Sequence, residues 1–168
     1  MAGLQPKKSF GLNAIRARNP MYLDSAIITK LLVREDDSEW FEQKLTGRPL
    51  WTSELSLAEV RSAILIKERT GHISLVERKN ALVRFQNMCD VEQVQLHPLN
   101  LLVVERAAGL LVSCHPDVAL RSLDAIHVAT AMLHLRGWLC ATDRRMRAAA
   151  LRVGMPCFPE DLSEIVKN

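Results

Sequence analysis

Apolar residues in this chain fall either into short runs of three to five or into longer stretches that recur every three or four positions. The short runs, at 21–24 (MYLD), 50–53 (LWTS), 138–142 (WLCAT) and 155–158 (MPCF), read as strands. Residues 91–96 (VEQVQL) alternate apolar with polar and read as another strand. Helical periodicity fills the remainder: 26–32, 38–45, 57–70, Ser74 through Met88, Asn100 to about His115, 123–135 and 147–152. Ser56, Ser74 and Asn100 stand where helices open, and Gly47, Gly71 and Gly137 where they close. Segment 123–135 is apolar around most of its circumference, through Ile126, Val128, Ala129, Met132 and Leu133, which predicts burial on several sides. Short strands alternating with one or two helices predict an α/β fold. The expected form is a three-layer α/β/α sandwich around a mostly parallel central sheet of four to five strands.

Composition narrows the class without changing that picture. A chain of 168 residues, 48% hydrophobic and 24% charged, is an ordinary globular protein with one expected domain over 21–168. No apolar run approaches the ~18 to 20 residues of a spanning helix. Cys89, Cys114, Cys140 and Cys157 form no C-x-x-C pair and read as reduced core residues, so a cytoplasmic location is expected. The net charge of +3 hints at nucleic acid, but Lys7, Lys8, Arg16 and Arg18 contribute four positive charges within 1–20, where there is no acid. Residues 21–168 therefore sum to −1, and bulk charge gives no argument for RNA binding. Residues 1–20 are expected to be a flexible or non-native leader ahead of a start at Met21. An organellar transit peptide is the weaker alternative.

Four carboxylates occupy one kind of place. Asp24 and Asp143 follow strands, while Glu59 and Asp124 sit in the first turns of helices. Each has an ordinary reading as a cap or dipole complement, and Ser56-Leu57-Ala58-Glu59 has the form of a capping box. Together they are harder to explain. In a parallel sheet, strand C-termini and helix N-termini share the edge where ligands bind. Carboxylates converging there repel one another at several kcal/mol for close pairs in a poorly solvated cleft, and capping does not require convergence. A divalent cation would favour it. Mg²⁺ and Mn²⁺ prefer hard oxygen ligands, and two such ions can activate water and stabilise a leaving oxygen in phosphodiester cleavage.

The strings Tyr22-Leu23-Asp24-Ser25, Ala58-Glu59-Val60, Leu123-Asp124-Ala125-Ile126-His127-Val128-Ala129-Thr130-Ala131 and Ala141-Thr142-Asp143 resemble, in order and spacing, the four acidic motifs of PIN-domain nucleases. The match runs over nearly all of 21–162, and its compactness is similar to that of the VapC toxins of bacterial toxin–antitoxin pairs. The resemblance implies an Mg²⁺- or Mn²⁺-dependent endoribonuclease, a homodimer, and a cognate VapB-type antitoxin that blocks the active site. By the same resemblance Asp24, Glu59, Asp124 and Asp143 are expected to be metal ligands or orienters of the attacking water. No protein nucleophile is required. The leader departs from the pattern, since such toxins usually begin almost at the first strand.

Beside these stand lesser candidates. Ser25 and Thr142 adjoin the acids and either bond a carboxylate or serve as ordinary caps. Arg144, Arg145 and Arg147 could hold RNA phosphates or form a solvated helix face. His127, three residues after Asp124, is a conceivable metal partner or base, but a buried, hydrogen-bonded core histidine is favoured. Leu31, Leu32, Trp40 and Phe41 could line an antitoxin groove, with core packing the default for at least half of them. Two alternatives remain: a PIN nuclease of RNA processing or decay without an antitoxin, and a catalytically silent RNA-binding PIN subunit. A phosphate-accepting signalling domain is disfavoured, because Asp24-Ser25-Ala26 offers no neighbouring acidic pair.

Overall fold

Five parallel strands form one sheet in the order β3-β2-β1-β4-β5. The structure, a computed structural model, describes residues 19–134 and 137–167; nearly all of the predicted leader and the end of the predicted 123–135 helix lie outside the described residues. In chain order the elements are β1 (Met21–Leu23), α1 (Ser25–Leu32), α2 (Ser38–Leu45), β2 (Leu50–Ser53), α3 (Ser56–Arg69) and α4 (Leu75–Asp90). Then follow β3 (Val94–His97), α5 (Leu101–Cys114), α6 (Ser122–His134), β4 (Trp138–Cys140), α7 (Arg144–Arg152), β5 (Cys157–Phe158) and a 3₁₀ turn at Leu162–Glu164. The fold is the expected α/β/α sandwich, and the sheet is wholly parallel with five strands.

Side-chain alternation along each strand divides the core in two. Met21 and Leu23 face a layer formed by Ile27, Ile28, Phe41, Val60, Ile64 and Phe85 from α1 to α4. Tyr22 and Leu139 face the other layer, in which Val103, Ala107, Val128, Ala129 and Met146 come from α5, α6 and α7. The strands are short because both their faces are covered, and each needs only a few apolar residues. Trp40 and Leu31 pack against the first core while Phe41 and Leu32 are buried in it, so core packing claims at least half of the suggested groove. Cys114, Cys140 and Cys157 are buried, Cys89 is partly so, and all four are free thiols, as expected.

Several boundaries differ from expectation. Strand 91–96 is displaced: Val91 caps α4, Glu92 turns through φ 53°, and pairing with β2 fixes the strand at Val94–His97. Strands 138–142 and 155–158 shorten to three and two residues. The helix predicted from residue 147 begins three residues earlier, because Asp143 caps it. Leu123 is 48% exposed, so the wrapping of α6 begins only at Ala125. Gly71 (φ 74°) follows the Thr70 cap of α3 in the left-handed conformation that glycine adopts without strain.

The sheet order places a topological switch between β1 and β4, the strands from which the chain winds in opposite directions. Asp24 follows β1, and Asp143 follows β4 after Ala141 and Thr142. The Asp24 amide donates to the Cys140 carbonyl at 3.2 Å, which ties the two strand ends together at the crevice.

Candidate active site

Each of the four acids is positioned by its backbone before it does anything else. Asp24 is the N-cap of α1, its Oδ1 accepting the Ile27 amide at 2.8 Å, and the residue is 3% exposed. Asp143 is the N-cap of α7, its Oδ1 accepting from the Arg145 and Met146 amides while the Arg145 guanidinium donates to Oδ2 at 3.3 Å. Asp124 lies in the first turn of α6, half-buried, and its Oδ2 is shut off from solvent with no hydrogen-bond partner. Glu59 lies in the first turn of α3 and reaches across to other elements.

The capping box expected at Ser56 and Glu59 does not form. Ser56 is itself the first helical residue, Leu55 occupies the cap position in helical conformation, and no side chain caps the helix. Glu59 Oε2 instead accepts from Ser25 Oγ at 2.5 Å and is bonded to His127 Nε2 at 2.6 Å. Proton counting orders the hydroxyls behind it. Thr52 Oγ1 donates to the Leu23 carbonyl at 2.8 Å, so Ser56 donates to Thr52 at 2.6 Å, and the Ser25 proton goes to Glu59. His127 is a buried, hydrogen-bonded histidine as favoured, but its partners are Glu59 and, more distantly at 3.3 Å, Ser25 Oγ at Nε2, and the Tyr22 hydroxyl at Nδ1 at 2.9 Å. Helix spacing gave its place beside Asp124; the partner on α3 had no signal in the sequence.

The electrostatics divide the set. Burial pushes the Asp24 carboxyl up to about 6; the Ile27 amide and His127 oppose the shift, and the Glu59 and Asp124 charges add to it. Burial also raises Asp124, helped by Asp143 and opposed by Arg145, His127 and Arg121. For Glu59, burial pushes upward but the His127 and Ser25 hydrogen bonds outweigh it and hold the carboxyl below its ordinary value. Asp143 is likewise held low, since its amide and Arg145 bonds overcome burial. These mutual influences couple Asp24 with Glu59 and Asp124, and Asp124 with Asp143.

Of the remaining residues, Ser25 bonds Glu59, whereas the half-buried Thr142 hydroxyl bonds none of the four carboxylates among the described residues. Arg144 is exposed at the start of α7, and Arg145 pairs with Asp143. Arg147 is not available for a phosphate. It is buried, and its guanidinium donates to the carbonyls of Ala141, Pro159 and Glu160 at 3.1, 2.7 and 3.0 Å. Arg121, exposed just before α6, acts electrostatically on Asp124; it lies two residues before the Leu123–Ala131 motif but is not part of it, and sequence reasoning did not single it out.

As the side chains stand, no group of three His, Cys, Asp or Glu among the described residues is placed to hold a metal ion. The chemistry of the donors nonetheless fits a hard divalent cation. Asp24, Glu59 and Asp124 each keep one carboxylate oxygen to which no described group donates. One of these, Asp124 Oδ2, is buried. Buried carboxylate oxygens without donors are costly unless a cation or proton meets them.

Comparison with known proteins identifies the family. The family model described as PIN domain matches residues 21–151. Ribonuclease VapC46 of Mycobacterium tuberculosis is 40% identical over 139 residues, covering 80% of this chain and 93% of that protein. Among solved structures, FitAcB from Neisseria gonorrhoeae superposes with a TM-score of 0.60 at 16% identity, over 83% of this chain and 97% of that one. A toxin–antitoxin complex from Klebsiella pneumoniae gives 0.53 at 20% identity, over 76% and 90%. The solved structures carry the fold alone; the family model and the 40% identical relative carry the assignment, and the chain belongs to the PIN-domain family.

Proposed function

We propose that this protein is a ribonuclease that hydrolyses RNA phosphodiester bonds with a divalent cation, Mg²⁺ or Mn²⁺, and acts in the cytoplasm as the toxin of a toxin–antitoxin pair. The observation that carries the reading is the set of free carboxylate oxygens on Asp24, Glu59 and Asp124 at the switch-point edge, in a chain 40% identical to a ribonuclease. Asp24, Glu59 and Asp124 would hold the cation, and Asp143, already bonded through both oxygens, would orient the others and the attacking water. Bound there, such an ion supplies a Lewis acid for a phosphodiester oxygen and lowers the pKa of water.

The chain's own residues do the rest. Ser25 donates to Glu59 and keeps its carboxylate at the edge. Exposed Arg144 meets a substrate phosphate, and Arg145, tethered to Asp143, offers a second contact as the RNA approaches. Burial of Asp24 excludes water from one side of the site and so strengthens the field acting on a bound phosphate. Thr142 is close in sequence to Asp143 and is assigned to substrate rather than to the carboxylates.

The identity to a VapC ribonuclease supports two partners: a second copy in a homodimer, and a small antitoxin covering the acidic edge. Purified protein should cleave structured RNA with Mg²⁺ or Mn²⁺, stop on addition of EDTA, and lose activity with Asp124→Asn. Cleavage that ignores EDTA, or survives that substitution, would remove the metal assignment. Expression should arrest growth, and co-expression of the adjacent small reading frame should relieve it. Cleavage without growth arrest would favour an RNA-decay nuclease.

A further inference from the structure

The cleavage chemistry leaves one buried polar chain without a task. Tyr22 (β1), His127 (α6) and Glu59 (α3) are bonded in series, Tyr22 Oη to His127 Nδ1 at 2.9 Å and His127 Nε2 to Glu59 Oε2 at 2.6 Å. The Tyr22 and His127 rings meet edge-on, with centroids 5.8 Å apart and planes at 71°. His127 is 2% exposed, so neither nitrogen has water as an alternative partner. We propose that His127 is a positioning residue for Glu59, its Nε2–H holding the carboxylate at the acidic edge while the Tyr22 hydroxyl fixes which ring nitrogen carries the proton. The proposal rests on the assignment of Glu59 to the site.

The layers explain why such a tether is needed. Glu59 belongs to the α1–α4 layer and His127 to the α5–α7 layer, so the bond crosses from one face of the sheet to the other at the end of β1. Glu59 has three rotatable side-chain bonds, its side chain is 22% exposed, and the Asp24 charge lies within electrostatic range. Left to itself it would relieve that repulsion by turning into water. The two donors, Ser25 and His127, both act on Oε2 and leave Oε1 free. His127 stands one turn after Asp124 on the same helix, so the helix that presents one carboxylate also sets a second one on the opposite layer.

The donor at Nε2 follows from the partners. An ionised carboxylate only accepts, so Nε2 must be the donor whatever the charge of the ring; when the ring is neutral it accepts at Nδ1, where the Tyr22 hydroxyl supplies its proton. Here both nitrogens are spent on side chains, and one of those is a candidate ligand.

The test compares His127→Leu, which removes the donor, with His127→Gln, whose amide restores one near Nε2. Mn²⁺ affinity is read by electron paramagnetic resonance titration without RNA, alongside kcat and KM for RNA cleavage and thermal unfolding of each variant. His127→Leu should lose about 10- to 100-fold in Mn²⁺ affinity or kcat with KM for RNA little changed, and His127→Gln should recover to within about threefold of the parent. A folded His127→Leu that matches the parent overturns the proposal, as do two folded variants equally impaired. Imidazole nitrogen NMR of the unsubstituted protein does not depend on either variant folding. The Nε2–H tautomer bonded at Nδ1 supports the tether, and the Nδ1–H tautomer overturns it. Mn²⁺ binding without any RNA cleavage would sink the ribonuclease reading and leave the tether standing.

Discussion

Replacing Asp24 with asparagine removes a buried charge and keeps a helix cap. The asparagine Oδ1 can accept the Ile27 amide that Asp24 accepts at 2.8 Å. What disappears is a carboxylate whose burial pushes it from its ordinary 3.8 up to about 6. That interval, at about 1.4 kcal/mol per tenfold change in acidity, is about 3 kcal/mol. The native state binds this proton more tightly than the unfolded chain does. Its contribution is therefore fully present below pH 3.8 and is lost as the pH rises through 6. In EDTA at pH 7.5, Asp24→Asn should be more stable than the parent by up to about 3 kcal/mol, or about 6–12 °C in melting temperature for a chain of this size. At pH 4.5 most of that gain should vanish. Mn²⁺ at about a hundred times its Kd should raise the parent by about 2.7 kcal/mol and leave the variant unmoved, and the variant should not cleave RNA. Thermal unfolding at the two pH values, with and without Mn²⁺, reads all of this. A variant that melts below the parent at pH 7.5, or one whose gain is the same at both pH values, would refute the reasoning.

Other substitutions separate structure from substrate. Arg147→Ala should cost about 3 kcal/mol in urea denaturation, because the buried carbonyls of Ala141 and Pro159 and the part-buried one of Glu160 lose a charged donor, yet leave RNA affinity per folded molecule unchanged. Arg144→Ala should do the reverse: stability within about 0.5 kcal/mol of the parent, weaker RNA binding, and a slope of log affinity against log salt reduced by about one. Phe85→Ala empties a fully buried position in the α1–α4 layer and should cost about 3–5 kcal/mol by the same denaturation assay, with the acidic edge untouched.

Where local rules decide the structure, the sequence was legible. Ser74 and Glu77 form a true capping box, Asn100 caps α5 through Val103, and Asp24 and Asp143 cap the helices they precede. Ser56 and Glu59 have the same spacing as a capping box but do not form one. Glu59 finds its partners 34 and 68 positions away, and such tertiary bonds override a local signature. The alternation of residues 91–96 misled for a similar reason: Val91 belongs to the end of α4, and it is pairing with β2 that selects the strand. Arginines 144, 145 and 147 are chemically alike in sequence, yet one is exposed, one is paired and one is buried beneath the C-terminal turn. Arg147 is set apart by the carbonyls of Ala141, Pro159 and Glu160 that take its guanidinium, and two of those lie 12 and 13 positions away, beyond the reach of a local pattern.

The four acids also show why capping and chemistry are compatible for two of them and not for the others. Asp143 satisfies its cap completely: both oxygens are bonded, its side chain is 36% exposed, and its carboxyl is held low. Nothing about Asp143 alone requires a cation. A carboxylate that only complements the α6 dipole should behave in the same way, reaching water or an amide of its own first turn. Asp124 does neither with Oδ2, which is buried and unpartnered, and its carboxyl is raised by burial and by Asp143. Asp24 caps with one oxygen and is raised even so. Capping for Asp24 and Asp143, and a first-turn place for Asp124, therefore account for where these groups stand and not for their charge states. The uncompensated charge sits on Asp24 at the end of β1 and on Asp124 in the first turn of α6, and that is where a divalent cation would relieve the most.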